Sequence, residues 1–276
     1  MTFAQGKRAV GRAVHDLVSN QTLQAAAALS YYSILSIFPA LILLSAVMAH
    51  IPLPDFFSDV LVAMTRVLPR GAVPAIYGVL LAVLGANLRA WLSFGMVGTL
   101  WIISSAFDEM IDALDIAYDV TDHRPLWKTR LLAVGLSFIV GFLLICAIAL
   151  IVVGPAAGGW LADRLSLSAL FVRVWPLIHS AIAIAFSLFG LQLVYYLAPN
   201  VKQRFLTTMP GAVLSLAGWM GLSALLGIYF RYFGNYNRIY GTLGGIMALM
   251  TWLYWAYFIF LAGGELNAEL EKERRA

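Results

Sequence analysis

Four aspartates spaced four, three and four residues apart are the densest chemical feature of this chain. They lie in Asp108-Glu-Met-Ile-Asp112-Ala-Leu-Asp115-Ile-Ala-Tyr-Asp119. At about 100° per helical residue, Asp108, Asp112, Asp115 and Asp119 fall within an arc of roughly 60°. Like charges at i,i+4 destabilise a helix, so something must compensate. Water, a bound cation, or basic residues such as Lys202 and Arg204 could do so. One reading is a solvated helical extension. The other is an acidic lining for a water-facing cavity, with Asp108 and Asp112 nearest the bilayer, because ionisable groups at membrane depth face a cavity or a partner.

Other polar groups are sparse. His179 stands alone in an apolar run; a proton relay is one reading, and a buried ring bonded to a neighbouring carbonyl is the simpler one. Glu265 ends another apolar run. Ser30, Ser33 and Ser36 repeat every third residue before Pro39, which removes a backbone hydrogen bond and should kink its helix. Asn235, Tyr236 and Tyr240 sit in a Gly/Asn-rich entry to the last apolar stretch, suited to an anchor or an outer vestibule. There is no Walker A, HExxH or Gly-x-Ser-x-Gly pattern, and the four histidines are scattered. No catalytic residue, metal site or cofactor is therefore expected. Cys146 is the single cysteine and has no internal partner for a disulfide.

The elements that must position these groups are long and apolar. Leu29–His50, Trp91–Phe107, Leu131–Val153, Val174–Leu197, Gly211–Phe230 and Thr242–Gly264 each run about 17–24 residues, against the roughly 20 that cross a bilayer. The chain is 62% hydrophobic and 12% charged, with a mean hydropathy of +0.85. Soluble domains carry about 25% charged residues. Backbone groups in lipid must bond internally, so these runs are helices. Lys and Arg in both tails and in the loops after the second and fourth spans outnumber those on the other side, which predicts cytoplasmic termini. Gly6–Ala28 is an amphipathic piece expected to lie on the inner membrane surface. The loop 51–89 should hold interfacial or re-entrant helices; if Ala75–Ala86 crossed instead, there would be seven spans with the tails on opposite sides. Most span glycines are expected to serve close helix packing.

Several stretches resemble the YihY/BrkB family of bacterial inner-membrane proteins, whose older label was ribonuclease BN. They are Ala26–Pro39 (AAALSYYSILSIFP), Asp112–Tyr118 (DALDIAY), Tyr195–Asn200 (YYLAPN), Pro210-Gly211 and, most specifically, Asn235–Leu270 (NYNRIYGTLGG…TWLYW…LAGGELNAEL). The resemblance runs from the first span to the C-terminus. Asp115 stands where the family pattern has Asn. The resemblance implies a six-helix protein of the cytoplasmic membrane; its envelope associations point to lipids or small solutes. The ribonuclease label finds no basic groove or metal cluster here.

The resulting expectation is an all-α polytopic membrane protein of one domain. Residues 1–28 would form a cytoplasmic amphipathic tail, 29–264 a bundle of six transmembrane helices, and 265–276 a cytoplasmic tail. A transporter of a lipid or other amphipathic substrate, without its own ATPase, leads; a membrane scaffold or accessory protein is second and an enzyme last. The expected pathway residues are Ser33, Ser36, Asp108, Asp112, Asp115, Asn235, Tyr240 and Glu265, with Pro39 as the kink. The expected partners are membrane lipids and not nucleic acid, and a homo-oligomer is left open.

Overall fold

The computed structural model describes residues 3–48, 88–165, 169–232 and 236–275. Among these, every long element is a helix: α1 (Phe3–Ser19), α2 (Thr22–Met48), α3 (Leu88–Ala117), α4 (Leu126–Leu165), α5 (Ala169–Leu197), α6 (Met209–Tyr232) and α7 (Tyr236–Arg275). A 3-10 turn, Phe205–Thr208, leads into α6. The loop expected to hold interfacial helices, including Ala75–Ala86, falls on 49–87, outside the described residues, as does Asn235.

Four stretches are long and apolar enough to cross a membrane: Leu126–Ile151, Arg173–Leu197, Phe205–Ile228 and Gly245–Arg275. Large apolar side chains such as Phe142, Ile145, Leu177 and Leu225 point outward on them, more than 60% exposed. A water-soluble fold would cover such a surface, whereas lipid solvates it. The chain is thus an all-α polytopic membrane protein. The first two expected spans fall on α2 and α3, helices of 27 and 30 residues that pack against each other. The kink expected at Pro39 concerns a side chain outside the described set; α2 continues as helix from Thr22 to Met48.

Two boundaries differ from those expected. The piece 1–28 is two elements, because Gln21 takes a left-handed φ of 55° that ends α1 and restarts the chain as α2. Residues 265–275 are not a separate tail but the last turns of α7, which passes Gly263 and Gly264 without interruption. Helix α1 packs on that final segment with Ala9 and Ala13 buried, while Val10, Val14 and Val18 form an exposed apolar stripe.

The core lies at this end of the bundle. Leu29, Ile111, Leu114, Leu136, Tyr195, Ala212 and Leu261 pack together from α2, α3, α4, α5, α6 and α7. Glycines set the closest approach. A Cβ on Gly211 would fall on the Gly263 carbonyl and the Asn267 amide, so α6 meets α7 backbone to backbone. Gly227, further along α6, has open space around it. Gly211→Ala should therefore destabilise the protein by about 1–3 kcal/mol through overpacking. Gly227→Ala should be neutral or slightly stabilising, since Ala favours a helix interior. Thermal unfolding of both variants in detergent checks the contrast; equal midpoints would refute the close contact.

Candidate functional site

Polar residues that an apolar chain would normally expose are buried where α7 leaves the apolar region. Glu265, Asn267 and Glu269 are 2%, 1% and 3% exposed. Their spacing of two residues puts Glu265 and Asn267 on different faces of α7, and each face meets a different set of neighbours.

Asn267 faces α6. Its Oδ1 accepts the Gly211 N–H at 2.8 Å, and its Nδ2 donates to the Thr208 carbonyl at 3.0 Å. The Gly211 amide is one of the first four of α6, which have no partner within their own helix. Asn267 thus caps α6 from a distant helix. Two turns back along α7, the Tyr195 hydroxyl donates to the Phe260 carbonyl at 2.5 Å and lies 2.6 Å from Ser215 Oγ. Its ring stacks on Phe260 at 4.8 Å. The Tyr195 carbonyl accepts Gln203 Nε2 at 2.7 Å, which ties the loop after α5 to the same core.

Glu265 faces the turn between α1 and α2. Its Oε1 accepts Asn20 Nδ2 at 2.9 Å, and its Oε2 is buried with no hydrogen-bond partner among the described residues. Deeper along the α2–α7 contact, Ser33 Oγ and Tyr257 Oη lie 2.5 Å apart. Ser36 turns back to its own helix, donating to the Ser33 carbonyl at 2.7 Å. Glu269 pairs with Arg12 of α1 at 2.8 Å and with Lys272 at 2.7 Å.

The acidic stripe of α3 is shared among different partners. Asp108 pairs with Arg130, whose guanidinium also lies 4.3 Å from the Trp101 ring centroid; Asp108 Oδ1 is buried without a partner among the described residues. Asp112 is exposed. Asp115, 4% exposed, accepts the Asn200 N–H at 2.6 Å and an Arg124 N–H at 3.3 Å. Asp119, at a left-handed φ of 53°, pairs with Lys272 at 2.6 Å. Burial pushes the Asp115 carboxyl above the usual range despite the Asn200 amide and the Arg124 charge. Asp122 goes the other way: desolvation raises it, but hydrogen bonds from the Arg124 side chain and backbone outweigh that and hold it low.

The compensating bases are thus Arg130, Arg124 and Lys272, not Lys202 and Arg204. The chain turns back after α3, so the loop 118–125 returns Arg124 to Asp115. His179 takes the simpler of its two readings, with Nδ1 2.8 Å from the Trp175 carbonyl. Tyr240 lies in α7 with its side chain outside the described set. Ser33 and Glu265 share the α2–α7 side, whereas Asp108 and Asp115 face α4 and the loops. Sequence reasoning passed over Asn20, Tyr195, Asn200 and Asn267 as site residues. The signal available for Asn267 was an amide closely following a carboxylate in a glycine-rich apolar run.

Lipid-facing helices closed at one end by a buried polar hub define a class, the all-α polytopic membrane proteins. Within it, the chain belongs to the family described as virulence factor BrkB, which it matches over residues 13–276. It is 33% identical over 264 residues to the putative ribonuclease-like protein YfkH of Bacillus subtilis, covering 94% of this chain and 95% of that one. It is 27% identical to a UPF0761 membrane protein of Chromohalobacter salexigens, over 96% of this chain and 64% of the relative. A UPF0761 membrane protein of Stenotrophomonas maltophilia is 25% identical over 93% of this chain and 59% of its own length. The chain thus spans about six-tenths of these two longer relatives. No solved structure matches it.

Proposed function

We propose that this chain is a transporter-like protein of the bacterial cytoplasmic membrane that moves a lipid or other amphipathic envelope substrate and has no ATPase of its own. Six spans with both termini cytoplasmic place the polar hub on the cytoplasmic side. The observation that carries the proposal is Glu265: a carboxylate 2% exposed, with one oxygen unpartnered among the described residues, at the α2–α7 contact that also holds Ser33 and Tyr257. An ionisable group held this way is costly in lipid and usually has a task, such as binding or coupling to an ion. The scarcity of other hydrogen-bonding groups on the long apolar helices favours an amphipath over a sugar or amino acid. In the same proposal Asp108, whose Oδ1 has no partner among the described residues, and Asp112 and Asp115 form a second polar lining on the α3–α4 side, with Asn235 and Tyr240 at the entry to α7.

The test is purified protein in liposomes, with labelled lipids and small solutes followed across imposed proton and sodium gradients. Wild type should move at least one amphipath faster than empty vesicles. Glu265→Gln keeps the shape and the Asn20 contact, so it should cut that rate about tenfold or more with little change in unfolding temperature. A variant as active as wild type would remove Glu265 from the mechanism. No movement of any amphipath would favour the scaffold reading. RNA cleavage that copurifies with the protein and is lost in a point variant would favour an enzyme.

A further inference from the structure

At the polar end five described cations are spent on an acid or a carbonyl. Arg12 meets Glu269 and Glu273, Arg124 meets Asp115 and Asp122, Arg130 meets Asp108, and Lys272 meets Asp119 and Glu269. The described cations without an acid gather mainly in one place, with Lys128 standing apart over Trp127. An open cleft of about 810 Å³ between the loop after α5 and the end of α7 is rimmed by Lys202, Arg204, Arg274 and Arg275, with Glu271 as its single carboxylate. Glu271 is already engaged by Arg275 at 3.0 Å, and Arg275 also donates to the Lys202 carbonyl at 2.6 Å. The side chains of Lys202, Arg204 and Arg274 are all exposed and make no ion pair among the described residues.

The position of this cleft relative to lipid identifies the anion. The apolar stretch Arg173–Leu197 ends just before the loop, and the stretch Phe205–Ile228 begins directly after Arg204. Leu206 and Met209, 76% and 41% exposed, continue outward from the cationic rim onto the lipid-facing side of α6. Cations at the headgroup level next to an apolar track match a molecule with an anionic head and acyl chains. Each Lys or Arg at such a surface attracts anionic lipid, and a guanidinium holds phosphate oxygens in a fork.

We propose that this cleft is a binding site for the phosphate headgroup of an anionic phospholipid, with the acyl chains lying along Leu206 and Met209. This does not rest on transport: a protein that moved nothing would still hold the lipid, and Glu265 is no part of the cleft.

Native mass spectrometry of detergent-purified protein titrated with phosphatidylglycerol, phosphatidylcholine or glycerol 1-phosphate tests it. Wild type should retain phosphatidylglycerol at least about tenfold more tightly than phosphatidylcholine, and more weakly as ionic strength rises. The triple variant Lys202→Ala/Arg204→Ala/Arg274→Ala should lose that preference while melting within a few degrees of wild type, because these side chains hold no partner. Lys128→Ala, which removes an exposed cation standing over Trp127 outside the cleft, should keep it. A triple variant that still prefers phosphatidylglycerol would overturn the proposal. Equal loss in Lys128→Ala would reduce the effect to overall surface charge and overturn it as well. Glycerol 1-phosphate bound as tightly as the lipid would show a soluble-phosphate site and defeat the lipid assignment. A transport failure with intact lipid preference would count against the proposed function alone.

Discussion

Arg124→Ala should lower folding stability by about 3–5 kcal/mol, the usual cost of stranding one member of a buried ion pair. Its partner Asp115 has a side chain only 6% exposed, so water cannot take over the solvation that Arg124 provides. The same guanidinium bonds Asp122 at 2.9 Å and the Ala198 carbonyl at 2.9 Å, so three acceptors lose a donor together. Asp115 and Asp122 would then repel without a cation between them. The predicted readout is a marked fall in unfolding temperature in detergent and in yield of monodisperse protein. Adding Asp115→Asn should restore much of it, because the Asn200 N–H can still donate to the new amide oxygen. A double variant no better than the single would mean that Asp115 is not the origin of the loss.

This prediction has a pH dependence of known sign. The folded-state pKa of Asp115 is raised, so the folded protein binds that proton more tightly than the unfolded chain does. The ionised carboxylate therefore opposes folding at neutral pH, and the opposition fades as pH falls through the folded pKa. Loss of Arg124 raises that pKa further. The deficit of Arg124→Ala should then shrink when melts at about pH 7.5 are repeated near pH 5. Asp122 has the opposite sign in wild type. Its lowered pKa gives stability that is present above the ordinary aspartate value and is lost as pH falls through the folded one.

Asn267→Ala ranks second in expected effect, at about 2–4 kcal/mol, since it leaves a buried donor and a buried acceptor without partners. The Gly211 N–H and the Thr208 carbonyl belong to the first turn of α6 and the turn before it, and both are shielded from water. Damage should therefore be local before it is global. Limited proteolysis should cut the variant first in the stretch 198–208, while α4 and α5 remain protected. Asn267→Asp should also destabilise, because it keeps the acceptor for Gly211 but loses the donor to Thr208 and buries a charge. If Asn267→Ala melted like wild type, the cap on α6 would carry no weight.

The helices were legible because a bilayer imposes a length that composition cannot hide. The acidic stripe on α3 was legible for a similar reason, since a repeat of four, three and four has one helical meaning. Its partners were not. Whether Asp115 meets Arg124 or Lys202 depends on how the chain turns after Ala117, and the left-handed Asp119 that makes the turn is a residue type without a unique conformation. The contacts of the final turns of α7 were hidden for a physical reason as well. Glu269, Lys272 and Arg275 carry the charge pattern of a solvated tail, yet α1 covers part of that helix and buries Glu269. Contacts between chain ends leave no periodic trace in either segment. The same holds for Asn20 and Glu265, which meet across 245 residues of sequence.

The clasp between α1 and the end of α7 also sets an order of biosynthesis. Arg12 reaches Glu273 across 261 residues, so α1 leaves the ribosome long before its partner exists. At about 5–20 residues per second that interval is roughly 13–50 s. During it, the face of α1 that carries Ala9 and Ala13 has no α7 to pack on, and the cap on α6 is still unmade. A ribosome that stalls before Glu265 would leave earlier helices inserted but unlatched, open to membrane proteases. Synthesis of α7 supplies at once the partners that α1 and the start of α6 lack until then.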